Sequence, residues 1–224
     1  PAFATGQSLT DVGRRGVLCL AALSSIAITV GIVGILLYEA STFFRHVTIT
    51  EFLTDTLWTP LFAMPRYGIM PLVAGTVVTT GVALAVALPI GTIVAIYLSE
   101  YAPFALREIL KPMLELLSAV PTVVYGYFAL LFVAPLLQKV LTDLSTFSML
   151  SAGIVMGIMI IPYVSSLSED AMSAVPNAMR QGSAALGANR MQTSLRVVFP
   201  AALSGIVAAI VLGVSRAVGE TMIV

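Results

Sequence analysis

Two residues in one apolar run have the types and spacing to do chemistry. Arg216 and Glu220 interrupt LGVSRAVGETMIV at 212–224, and a spacing of four places both on one face if the run is helical. An ionisable side chain deep in hydrocarbon is costly to keep there, so it marks a functional site by default. A guanidinium supplies a fixed positive charge with planar donors suited to an oxyanion. The carboxylate would orient that guanidinium, lower its desolvation cost, or accept a hydroxyl proton from the cargo. Gly219 and Ser215 keep the surroundings small. The same pair would also serve as a structural ion pair holding two helices in register, and chemistry alone leaves both readings open. Glu169 and Asp170 follow another apolar run and read as solvated helix-terminal acids or as partner contacts. His46 has no second type of metal ligand beside it and reads as an ordinary surface histidine. Cys19 reads as a small buried or lipid-facing residue.

Other chemistries leave no trace. There is no HExxH, no GxSxG and no pair of intramembrane aspartates, so a protease or hydrolase has no visible apparatus. No GxxxxGK[ST] phosphate loop occurs, so the chain is not expected to bind and hydrolyse ATP itself, and no metal site is expected.

The elements that would position Arg216 follow from composition. Of the 224 residues, 58% are hydrophobic and 10% charged, with a net charge of zero, and the mean hydropathy is +1.02. A soluble domain carries about 25% charged residues, so an all-α polytopic membrane protein is expected. The neutral balance argues against nucleic acid as a partner. Spans of roughly 20 apolar residues fall at about 17–38, 71–98, 113–137, 149–167 and 198–224. Pro89 and Gly91 mark a kink in the second, and the fifth is still apolar at Val224, which suggests a sixth beyond it. An N-terminal region of 1–70, comprising a tail, the first span and an outer segment, would precede a membrane core over 71–224. With the N-terminus in the cytoplasm, Arg14, Arg15, Arg107, Lys111, Arg180, Arg190 and Arg196 lie inside, and only Arg45, Arg66 and Lys139 lie outside. That distribution follows the positive-inside bias. The stretch 99–111 reads as a short inner elbow with an interfacial helix after Pro103, its charges solvating that face. Trp58, Tyr67 and two prolines suit the outer segment to the membrane interface.

Between the fourth and fifth spans lies AVPNAMRQGSAALGANRMQTSLRVVFPAA, 174–202, too polar for hydrocarbon. It has the grammar of two short helices. Pro176 suits a first turn, Gly187 a left-handed stop, and Asn189 with Gln192 a capping box. Such a segment inside the cell is a docking element for a soluble partner.

This stretch resembles the EAA loop of the membrane subunits of ABC importers, a Glu-Ala-Ala triplet followed after three residues by Gly and later by an apolar residue and Pro. Gln181, Gly182 and Ser183 stand at the triplet, Gly187 is the glycine, and Phe199-Pro200 closes the pattern. YGIMPLVAGT (67–76), AIYLSEYA (95–102), AVPTVVYGYFAL (119–130), EDAMSAVP (169–176) and SRAVGETM (215–222) narrow the resemblance to PstC-type permeases of phosphate importers. The resemblance implies a type I ABC importer permease fold of six helices in a bacterial inner membrane. It implies a loop over about 168–197 that docks on the ATPase subunits through Gln181, Ala184, Ala185, Leu186 and Gly187. It also implies a phosphate path past Arg216 and Glu220. The implied partners are a PstA-type permease, an ATP-binding subunit dimer that holds ATP and magnesium, and an external phosphate-binding protein. A permease for sulfate or molybdate is the nearest alternative, and a secondary transporter a more distant one, since no internal repeat is evident.

Overall fold

The computed structural model describes residues 9–220, which divide at Pro71 into two compact units. The last four residues of the expected fifth span, 221–224, lie outside the described residues.

In the first unit, α1 (Leu9–Phe43) includes a candidate membrane span from Arg14 to Phe43, with no charged residue from Gly16 to Tyr38. Those 30 residues extend about 45 Å at roughly 1.5 Å each, more than the ~30 Å hydrocarbon core. Its side chains are exposed from Arg14 to Thr42. A helix that is apolar on every side and bare within its own unit has a surface made for lipid or for other membrane helices. A short α2 (Ile49–Thr54) and a hairpin follow it.

From the boundary onward, α3 (Met70–Ile96) leads into a π turn (Tyr97–Tyr101) and then α4 (Phe104–Ser118). Next come α5 (Thr122–Phe128), a second π turn (Ala129–Val133), α6 (Ala134–Gln138) and the long α7 (Met149–Ser173). The chain continues through α8 (Asn177–Ala185), α9 (Arg190–Thr193), a third π turn (Ser194–Val198) and α10 (Phe199–Ala201) to α11 (Leu203–Val218). All regular structure among the described residues is helical.

Each π turn ends two residues before a proline: Pro103, Pro135 and Pro200. Proline lacks an N–H and its ring crowds the carbonyl four residues upstream, so a wider turn forms just before it. Proline also marks the breaks at which two of the candidate spans start. Among the described residues, three helices are long and apolar enough to cross a membrane alone: Arg14–Phe43, Met70–Tyr101 and Met149–Ser173. Two more candidates are bent pairs, Phe104–Ser118 with Thr122–Gln138 at 87° and Arg190–Ala201 with Leu203–Val218 at 71°. The third span was expected from Met113, but residues 113–118 belong to α4, and the chain turns before Pro121 to begin again at Thr122. The fifth was expected from Val198, but Val198 is buried in the π turn and the straight helix begins at Leu203.

The core of the second unit is built around α7, more than half of whose residues are buried. Its glycines set the register. A Cβ on Gly153 would lie 2.7 Å from Val82 Cβ and 3.0 Å from the Thr79 carbonyl oxygen, and one on Gly157 2.8 Å from the Ala83 carbonyl oxygen. Gly91 meets Val164 in the same way. The paired numbers rise together, so α3 and α7 run parallel. On α3 the buried positions Gly75, Thr79, Ala83, Ala87, Gly91 and Ala95 recur every fourth residue, all of them small. Helices in lipid gain little from hydrophobic sorting and associate by close backbone approach at such small residues. On the other side, Gly205 meets Ala171 and Gly213 meets Val164 and Ile160, so α11 runs antiparallel to α7.

Gly157→Leu should therefore lower thermal stability by at least the 1–3 kcal/mol that overpacking costs, because a backbone oxygen cannot rotate away. Gly81→Ala, with nothing within 4 Å, should not lower it, since alanine is the better helix former. Unfolding of the detergent-solubilised protein followed by size exclusion measures both.

Candidate functional site

The 174–202 segment begins where α7 ends. Pro176 caps α8, which runs from Asn177 to Ala185. Gly187 then adopts φ +82, a conformation glycine enters without a Cβ penalty. Asn189 accepts the Gln192 backbone N–H at 2.8 Å while the Gln192 side chain accepts the Asn189 N–H at 3.0 Å, completing the expected capping box at α9. Gln181, Ala184, Ala185, Leu186 and Gly187 are all exposed, with Leu186 at 91%. Met179, Met191 and Leu195 are exposed as well. A shallow depression of about 460 Å³ opens beside them, lined by Met179, Leu186, Gly187, Gln192 and Arg196. This is an adaptable apolar surface on a short, well-capped frame.

One arginine holds that frame to the bundle. Arg180 Nη2 donates to Glu100 Oε1 at 2.8 Å and to the Met172 carbonyl at 2.9 Å, while Nη1 donates to the Val175 carbonyl. It thereby ties α8 to the π turn after α3 and to the end of α7. A second cluster ties α4 to α7. Glu169 is fully buried, yet it is bound by Arg107, by Lys111 Nζ at 2.8 Å and by the Ser173 hydroxyl at 2.7 Å. Arg107 also donates to Ser173 at 2.8 Å. Asp170, next along, is 56% exposed and pairs with Lys111. The expectation of a solvated terminal acid fails for Glu169. The acid is internal because α4, amphipathic and carrying Arg107 and Lys111 one turn apart, lies against this stretch of α7. Nor do the 99–111 charges merely solvate a face: Glu100, Arg107 and Lys111 are all committed to ion pairs.

The far end of α4 reaches the arginine singled out above. Arg216 Nη2 donates to the Ser118 carbonyl at 3.4 Å, at the helix terminus where carbonyls lack helical partners and the dipole is negative. Its guanidinium carbon lies 5.7 Å from the centre of the Tyr163 ring, and Nε is buried with no hydrogen-bond partner. Tyr163 is near the middle of α7, so Arg216 sits at mid-depth in the bundle. Tyr125, just past the α4–α5 turn, donates to the Leu117 carbonyl at 2.9 Å beside it. Glu220 stands differently from expectation. The helix stops at Val218 with Gly219 as its cap, so Glu220 lies past the helix end and the shared helical face does not extend to it. His46 lies in the first unit, where Nδ1 is 3.1 Å from the Thr42 carbonyl. No group of three potential metal-ligating side chains gathers among the described residues.

A bundle whose glycine seams carry a central helix, with an exposed two-helix segment at one end and a mid-depth arginine, has the fold of an ABC importer permease. The MetNI methionine ABC transporter in inward-facing conformations matches it with a TM-score of 0.51 over 68% of each chain at 21% identity. The profile of the binding-protein-dependent transport system inner membrane components matches residues 87–224, and the chain belongs to that family. It is 36% identical to the probable ABC transporter permease protein YqgH of Bacillus subtilis, over 97% of this chain and 71% of that one. It is 35% identical to the phosphate transport system permease protein PstC of Haemophilus influenzae, over 77% of this chain and 60% of that one. The PstC of Mesorhizobium japonicum is 31% identical over 78% and 58%. The chain thus spans about three fifths of the length of these PstC proteins.

Replacing Glu169 by Gln would leave Arg107 and Lys111 facing a neutral amide. Breaking a buried ion pair costs on the order of 3 kcal/mol, whereas Asp170→Asn, at an exposed pair, should cost less than about 1 kcal/mol. Thermal unfolding of the two variants in detergent should separate them in that order.

Proposed function

We propose that this chain is the PstC-type permease subunit of an ATP-driven phosphate importer. The observation that carries the reading is Arg216, a mid-depth guanidinium with one buried donor unused, connected through α4 to the segment that would receive the power stroke. The names of the PstC relatives support phosphate as the cargo, and charge chemistry supports an oxyanion.

In this reading the N-terminus and the 174–202 segment face the cytoplasm. The segment is the coupling element, with Gln181, Ala184, Ala185, Leu186 and Gly187 seated in a groove of a separate ATPase subunit. Two such subunits bind ATP and magnesium, and this chain contributes no catalytic site of its own. A PstA-type permease forms the other half of the pore. A phosphate-binding protein delivers its cargo at the opposite face, to which residues 42–70 belong. When the ATPase dimer closes it displaces α8. Arg180 and Glu100 pass the displacement to the end of α3, and the Arg107–Lys111–Glu169 cluster keeps α4 in step with α7. Packed helices move as rigid bodies, so the far end of α4 shifts at Arg216 and access alternates between the two faces. Arg216 offers the anion a donor while the Ser118 carbonyl and the Tyr163 ring hold part of its charge, which favours weak binding and release. Glu220 lies on the same path just beyond the helix end.

Arg216→Gln in an assembled complex should reduce phosphate uptake at least tenfold, the scale of losing one charge-assisted hydrogen bond, and Glu220→Gln should also reduce it. Normal uptake in both would refute the anion path. Gly187→Val forces a branched side chain into the left-handed region and should weaken co-purification with the ATPase subunit while leaving the fold intact. Undiminished co-purification and coupling would count against the docking role.

A further inference from the structure

Beyond transport, the first unit carries a surface that Trp58 and Tyr67 only partly explain. Residues 56–65, TLWTPLFAMP, include no charge, and Leu61, Phe62 and Met64 at the tip are 96%, 72% and 85% exposed. The tip stands on a fixed base. Trp58 and Tyr67 form an antiparallel bridge with their rings edge to face at 6.1 Å. The Thr59 N–H donates to the Arg66 carbonyl, the Gly68 N–H to the Leu57 carbonyl and the Ile69 N–H to the Phe52 carbonyl, each at 2.9 Å. A Cβ on Gly68 would lie 2.1 Å from the Asp55 carbonyl oxygen, so only glycine closes the base. Tyr67 packs on Phe43, the last residue of α1, at 5.4 Å, and Phe43 packs on Phe52 at 5.7 Å. The nearest charges, Asp55 and Arg66, neutralise each other at 3.3 Å.

We infer that this hairpin tip returns to the membrane and seats Leu61, Phe62 and Met64 at the boundary between headgroups and acyl chains, anchoring the end of α1. The inference rests on α1 and α3 crossing the membrane. Residues 44–69 then run between two spans and stay at the bilayer surface, within reach of the tip. A docking surface for a soluble protein would carry a polar rim, whereas this tip is uncharged and apolar throughout. Trp and Tyr at its base are the residues that settle at headgroup level. Pro60 and Pro65 remove two backbone donors that lipid could not satisfy, and the irregular backbone confines the tip to the boundary rather than the hydrocarbon centre.

The test uses the full-length chain assembled with its partner subunits in nanodiscs. In a Cys19→Ser background, Phe62→Cys and, separately, Thr54→Cys carry an environment-sensitive fluorophore. Lipids with a nitroxide near the headgroup should quench the label at 62 severalfold more than the label at 54, and aqueous iodide should do the reverse, with blue-shifted emission at 62. Iodide quenching at 62 equal to that at 54 overturns the proposal. So does protection of position 62 from both quenchers, whether throughout or only once the phosphate-binding protein is added, because protein would then cover the tip. Phosphate uptake by the same labelled complexes is read in parallel, so a failed anchor is distinguished from a failed transport assignment.

Discussion

Glu169 is the point on which the second unit depends. A carboxylate with no exposed surface is tolerable only when its charge is matched and its lone pairs are filled. Arg107, Lys111 and Ser173 do both. Because those cations are on α4 and the acid is on α7, the arrangement fixes where an amphipathic helix without a single buried residue of its own must lie. The direction of α4 then determines that its last carbonyl meets Arg216. Without the cluster, α4 would have little reason to prefer this path over lying free at the membrane surface.

The glycine seams supply the complementary constraint. Gly153 and Gly157 bring α7 against α3, and Gly205 and Gly213 bring α11 against it from the other side. Contacts at this spacing resist sliding, so a force applied at α8 would be transmitted along the bundle rather than absorbed in it. In the proposed transport cycle, polar clamps at the segment end and small-residue packing through the bundle would divide the work: the clamps would receive displacement and the seams would carry it.

Much of this was legible in the sequence. Five apolar runs became helices or bent helical pairs. Local rules with short-range causes also held, including the left-handed Gly187 and the Asn189–Gln192 box. What sequence reasoning missed depends on which helices meet. Glu169 follows an apolar run and has the pattern of a solvated terminal acid. Only the return of α4 across it, 58 to 62 residues away in the chain, makes it internal. The i, i+4 basic spacing of Arg107 and Lys111 on an amphipathic stretch was the available signal, but it does not name its partner. The starts of the third and fifth spans were misplaced because hydropathy does not register the turn before Pro121 or the break after Pro200. Spacing likewise placed Glu220 on the Arg216 face, where the helix in fact ends at Gly219. The glycine pair at 153 and 157 was visible as a small-residue spacing, and the four-residue repeat of small residues on α3 was the matching signal.

The central claim is that ATP hydrolysis by partner subunits drives phosphate through this chain. It is tested most directly in proteoliposomes holding the assembled transporter, with its binding protein and labelled phosphate on one side and ATP on the other. ATP-dependent accumulation of phosphate, competed by unlabelled phosphate and not by sulfate or molybdate, is expected. Accumulation of another oxyanion in its place, or phosphate accumulation that continues without ATP, would contradict it.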